Sequence, residues 1–88
     1  MDDITIQALL YVLELEGGNI YVGITHHLNV RLAQHYQGCG AKWTKLFKPI
    51  KLLEVQMNAT RALEDEVTKK YMIQYGHSKV RGGSWTGC

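Results

Sequence analysis

The sequence holds only two cysteines, Cys39 and Cys88, and a single proline, Pro49. Two cysteines so placed make neither a disulfide framework nor a zinc-ligand spacing, which fits a reducing, intracellular setting. No run of about 18 apolar residues occurs, so nothing in the sequence spans a membrane as a helix. The start, Met1-Asp2-Asp3, is acidic rather than basic, and no secretory pattern follows it. Charge of one sign is also scarce: a net +2 over 88 residues does not by itself establish a nucleic-acid binder. Repeats, linkers and low-complexity tracts are lacking. The chain therefore reads as one domain over residues 1–88, with a core from about 8 to 75 and a tail over 76–88. At 45% hydrophobic it has material for one small core of marginal stability. The abrupt end at Cys88 is compatible with a domain taken from a longer protein.

What is present is organised around residues 11–35. After a short lead-in over residues 1–7, Ala8 to Leu15 is rich in β-branched, aromatic and leucine residues and predicts a strand, with Leu9, Tyr11, Leu13 and Leu15 on one face. Glu16-Gly17-Gly18-Asn19 supplies a turn, and Ile20 to Thr25 alternates again, which makes a β-hairpin. Gly23 shares a face with Tyr21, and a glycine inside a strand marks a place where a ligand or another chain segment comes close. Thr25 or His26 is placed to cap a helix from about Leu28 to Tyr36. Leu28, Arg31, Leu32 and His35 share one of its faces, so Arg31 and His35 stand side by side at the edge of buried surface.

Gln37 to Pro49 reads as a loop, Ile50 to Met57 as a third strand, and Ala59 to Tyr75 as the main helix, capped by Asn58 and stopped by Gly76. On a helical wheel Ala59, Ala62, Leu63, Val67, Tyr71 and Ile73 form an apolar arc that includes Glu66. A carboxylate facing inward needs a partner or a cation, which singles out Glu66. The tail shows no periodicity; Gly82-Gly83 predicts a tight turn, with Trp85 folding back on the core.

If Tyr11, Tyr21, Arg31, His35 and Glu66 converge, they supply most of what phosphodiester hydrolysis needs. A carboxylate can hold Mg²⁺ with water and phosphate oxygens completing the shell. An arginine can stabilise charge growing on the phosphate. A tyrosine or histidine can move the proton of the attacking water. Taken singly, each has an ordinary structural reading: strand tyrosines pack, a lone arginine or histidine solvates a helix, and Glu66 pairs with Lys70. Lys42, Lys45 and Arg81 with Trp43 suit contact with backbone phosphates and bases. A solvated lysine-rich loop explains the same residues equally well.

The order and spacing resemble the GIY-YIG nuclease domain. Tyr21-Val22-Gly23 resembles the second signature motif, and Tyr11, closing Leu9-Leu10-Tyr11, the tyrosine of the first. Arg31 matches the family's catalytic arginine and His35 its frequent histidine. Ala62-Leu63-Glu64-Asp65-Glu66 resembles the helix with the metal-binding glutamate, Glu66 being assigned that role. The similarity runs from Ala8 to Tyr75. It implies an α/β (α+β) fold, a small three-stranded antiparallel sheet flanked by helices. It also implies an endonuclease using one Mg²⁺ or Mn²⁺ ion on DNA, in repair or recombination, with specificity from DNA shape, a partner protein or an additional DNA-binding domain. Two positions depart from the pattern: Leu9 and Leu10 replace the glycine and isoleucine of the first motif, and Lys79 stands near the family's late asparagine. Lys79-Val80-Arg81-Gly82-Gly83 resembles the tail of small viral and bacterial members. A binding module that has lost catalysis, or an interaction domain with no nucleic-acid role, stays open at this point.

Overall fold

The computed structural model describes residues 7–86; most of the lead-in, and Cys88, lie outside the described residues. The hairpin forms as its sequence dictates. β1 (Leu9–Leu15) and β2 (Asn19–Thr25) pair antiparallel, with Tyr11 opposite Gly23. The turn between them is a single helical turn over Glu16–Gly18. Gly17 and Gly18 there take positive φ of 73° and 75°, a conformation that costs glycine little.

α1 (Leu28–Tyr36) lies where the periodicity puts it. Neither Thr25 nor His26 caps it: the residue at its start is His27, which makes no side-chain cap bond, and the Thr25 hydroxyl accepts from the His27 N–H at 3.0 Å before the helix begins. The segment expected to be a loop contains α2 (Lys42–Leu46). This one-turn helix has no side-chain cap and no period of its own. Tertiary contacts hold it: the Trp43 indole donates to the Ile20 carbonyl at 3.0 Å and meets Phe47 edge-on. β3 (Pro49–Gln56) follows, then α3 (Arg61–Tyr75) and β4 (Val80–Gly82).

The sheet corrects the expectation of three antiparallel strands. It has four, in the order β3-β1-β2-β4, and β4 runs parallel to β2 with Ile20 opposite Val80. Three residues, Val80-Arg81-Gly82, are too short to carry a strand signal alone; β4 exists because it completes the ladder beside β2. The tail turn forms as expected, Gly82 and Trp85 exchanging two backbone hydrogen bonds at 2.8 Å, and half-buried Trp85 packs against the core.

Both faces of β1 and β2 are covered, which explains the near-continuous apolar run Leu9–Leu13. Leu10, Val12, Ile20 and Val22 meet Val67, Tyr71 and Met72 of α3 on one face. Tyr11, Leu13, Leu15 and Tyr21 meet Trp43 on the other, beneath Leu28 and Leu32 of α1. Among the described residues no helix is long and apolar enough to cross a membrane.

α3 also starts later and faces differently from its expected wheel. Thr60 caps it, accepting from the Leu63 N–H at 3.1 Å, while Asn58 takes φ 56° in the connection. The buried face is Val67, Thr68, Tyr71 and Met72, and Ile73 is 88% exposed. Thr68 belongs inside because its hydroxyl donates back to the Glu64 carbonyl at 2.7 Å. With the face set by Thr68 and Met72 rather than Ala62 and Ile73, Glu66 is exposed and Glu64 and Asp65 are half-buried.

Candidate active site

A cavity of about 380 Å³ is lined by Tyr11, Tyr21, Arg31 and Glu64, together with Arg61, Asp65 and Ser84. Three of the five residues expected at the site from the sequence therefore line one space. His35 stands directly behind them. Its ring nitrogen Nε2 lies 2.7 Å from the Tyr11 hydroxyl, and its ring centroid is 5.1 Å from that of Tyr21. Glu66 does not join the group: it projects from the exposed side of α3, so the inward-facing carboxylate is Glu64.

Local structure explains how each side chain arrives. Tyr11 and Tyr21 point to the same sheet face because β1 pairs with β2 in register. Their ring centroids are 6.2 Å apart. Gly23 lies opposite Tyr11, and a Cβ there would come within 2.5 Å of the Tyr11 hydroxyl and its ring carbon. The missing side chain is what lets the phenol cross the neighbouring strand. Arg31 and His35 come from successive turns of α1; Arg31 is half-buried and donates to the Gln34 amide oxygen at 2.9 Å.

Electrostatics follow from this burial. The Tyr11 phenol is held well above its ordinary pKa, first by burial and then by neighbouring Tyr21, with Arg31 pulling in the opposite direction. Tyr21 is raised by burial too, and Arg31 again opposes it. His35, 0% exposed, is lowered to about 4 by burial and by the Arg31 charge, so it is neutral at pH 7. Glu64 is raised by burial; a backbone hydrogen bond from Gly83 opposes this, and Asp65 adds to it.

The C-terminal turn braces the acidic pair. Ser84 donates to Asp65 twice, from its N–H at 2.8 Å and its hydroxyl at 2.9 Å. Both Asp65 carboxylate oxygens thus accept from this turn, and Glu64 beside it faces the same cavity. No spacing signal in the sequence identified Glu64, Thr44 or Ser84; only the true face of α3 and the packing of α2 and β4 bring them in.

The weaker nucleic-acid candidates separate. Lys42 and Lys45 are exposed on α2. Trp43 is 7% exposed and belongs to the core, so it offers no face to a base. Arg81 covers the Trp43 ring, its guanidinium 4.6 Å from the centroid, and donates to the carbonyls of His77 and Val80.

A family model described as the GIY-YIG catalytic domain matches residues 7–79. The chain belongs to the GIY-YIG family. That places it in a nuclease-type family, and Tyr11, Tyr21 and Arg31 now have a shared cavity as well as a shared order. Curated relatives carry the name UPF0213. One, from Cupriavidus pinatubonensis, is 44% identical over 68 residues, covering 75% of this chain and 76% of its own. A second, from Streptococcus pneumoniae, is 42% identical over 55 residues, 62% of this chain and 56% of its own. A third, from Staphylococcus aureus, is 29% identical over 65 residues, 74% of this chain and 77% of its own. No solved structure gives a significant match. The GIY-YIG chain thus spans between about half and three quarters of these relatives.

Proposed function

We propose that this GIY-YIG domain is a divalent-metal-dependent endonuclease that hydrolyses phosphodiester bonds of DNA. The observation that carries the reading is one polar cavity lined by two phenols, two guanidinium groups and two carboxylates, with an uncharged imidazole bonded to one phenol. Arg31 stabilises the charge that develops on the phosphate. Tyr21 orients the attacking water or the phosphate. Tyr11 takes the proton of the water and His35 receives the proton Tyr11 gives up. Since Tyr11 is buried beside Tyr21 and its pKa is raised, it is a neutral phenol before reaction and works by relay rather than as a phenolate. His35 is fully buried, which suits proton transfer and not direct phosphate binding.

The donor set fits a hard cation such as Mg²⁺ or Mn²⁺. Such ions are bound through one or two carboxylates plus water and phosphate oxygens, and Glu64 offers one carboxylate in a cavity with room for the rest. Among the described residues no group of three or more His, Cys, Asp and Glu side chains makes a closed metal site. Glu64 would therefore hold the ion in an open site, where it would neutralise charge on the phosphate. Lys42 and Lys45 supply phosphate contacts outside the cavity.

The test is incubation of the full chain with Mg²⁺ and a panel of single-stranded, duplex and branched DNA, alongside Tyr11→Phe and Arg31→Ala. Cleavage by the wild type alone, abolished by EDTA, supports the reading. Salt-sensitive retention of DNA without cleavage would replace it with a binding module. Neither binding nor cleavage would leave an interaction domain.

A further inference from the structure

Thr44 sits on α2, outside the cavity, and no motif in the sequence points to it. It is 1% exposed and touches the far side of His35. We infer that Thr44 is a positioning residue that fixes His35 with its bare Nε2 toward Tyr11, making His35 the acceptor of the Tyr11 proton. The inference rests on the nuclease reading and extends it to a residue beyond the cavity.

The assignment follows from counting protons along a closed chain. The Thr44 hydroxyl has one proton, which it donates to the Ala41 carbonyl at 2.9 Å. Its oxygen has only lone pairs left to offer His35 Nδ1, 2.8 Å away. Nδ1 must then carry the imidazole proton. A neutral imidazole has one N–H, so Nε2 is bare, and the Tyr11 hydroxyl at 2.7 Å donates to it. The chain runs one way, from Tyr11 to His35 to Thr44 to the Ala41 carbonyl.

Burial keeps it so. Tyr11 is 1% and His35 0% exposed, and among the described residues no buried polar side-chain atom lacks a partner. A side chain at Gly40 would strike His35 Nδ1, so the chain before α2 passes flush against the ring and holds Thr44 to it. A hydroxyl suits this place better than a carboxylate. An acid behind Nδ1 would favour imidazolium in the resting state, whereas a hydroxyl selects the tautomer and leaves the ring an uncharged acceptor.

Direction decides whether Tyr11 can act. With Nε2 bare, Tyr11 can accept a proton from water while its own proton passes to Nε2. The oxygen lone pair of that water forms the new P–O bond, and the P–O bond to the leaving sugar breaks. The sugar oxygen takes a proton from solvent, and the buried imidazolium is reset when Nε2 hands its proton back to Tyr11, whose hydroxyl releases one proton to water in the cavity. With the opposite tautomer, Nε2–H would donate to Tyr11 and the proton would have no exit.

The experiment pairs ¹⁵N imidazole spectra of the full chain at pH 7 with single-turnover DNA cleavage, for wild type, Thr44→Val and Thr44→Ser. The expected result is protonated Nδ1 and bare Nε2 in wild type and in Thr44→Ser. Thr44→Val should admit the Nε2–H form and lose about tenfold or more in cleavage rate, with DNA affinity unchanged. Recovery in Thr44→Ser separates positioning from a folding defect. Nε2–H in the wild type, or unchanged tautomer and rate in Thr44→Val, would overturn the inference. The expected tautomers with no cleavage of any DNA would support the positioning role and overturn the nuclease reading instead.

Discussion

Tyr11 lies across Gly23, its partner on the neighbouring strand, and occupies the space a side chain at Gly23 would fill. The glycine of the second motif is thus explained by the tyrosine of the first: one residue gives up its side chain so that the other can reach His35. Gly23→Ala should force the Tyr11 ring away. Overpacking of this kind costs about 1–3 kcal/mol, and cleavage should fall further than stability does. Urea unfolding alongside a cleavage assay checks this; normal cleavage in a folded Gly23→Ala would mean Tyr11 has no role tied to this position.

His35 gives the domain a pH signature. Its folded pKa lies near 4, below the ordinary value of 6.5, so between those values the unfolded chain binds the proton that the folded chain refuses. Stability from the neutral buried ring is complete above about pH 6.5 and is lost as pH falls toward 4, by on the order of 2–4 kcal/mol. Denaturation at pH 7, 5.5 and 4 should show this loss in wild type and a smaller one in His35→Gln. Equal slopes would remove the assignment.

The hairpin, α1 and the end of α3 were legible in the sequence because local signals decide them: Gly17-Gly18 for the turn, the Leu28/Leu32 spacing for α1, Gly76 for the stop, with its N–H bonded to the Met72 carbonyl at 2.8 Å. α2 and β4 were not, since one turn and three residues have no period and are held by Trp43 and by pairing with β2. Glu66 was misplaced for a related reason. On a helix with few apolar residues, Ile73 drew the expected face toward itself, while the real face includes a threonine whose polarity is satisfied within the helix. Which side chains face the cavity was thus readable where strand alternation controls it, at Tyr11 and Tyr21, and unreadable where the rotation of a helix turns Glu64 inward and Glu66 outward.

Trp43 is a core residue, and its substitution should separate packing from DNA contact. Trp43→Ala should destabilise the domain by about 3–5 kcal/mol. Trp43→Phe, which keeps an apolar ring but loses the bond to Ile20, should leave DNA affinity of the folded protein unchanged. A fluorescence-anisotropy titration reads this directly, and a large loss of affinity in stable Trp43→Phe would restore Trp43 as a contact.

The turn after β4 should govern Glu64. Asp65→Ala removes both bonds from Ser84, which at this partly exposed place are together worth about 1 kcal/mol. The amides of Gly83 and Ser84 should then exchange faster with solvent, and cleavage should weaken because the Gly83 N–H no longer holds its place beside Glu64. Unaltered exchange would show that the turn stands without Asp65.

The central claim is that the cavity, and not the exposed side of α3, carries the chemistry. The most direct measurement is Mg²⁺-dependent cleavage of a DNA cleaved by wild type, comparing Glu64→Gln with Glu66→Gln in equally folded proteins. Glu64→Gln should lose activity by at least about a hundredfold, while Glu66→Gln stays near wild type. The reverse order, with Glu66→Gln inactive and Glu64→Gln active, would contradict the account.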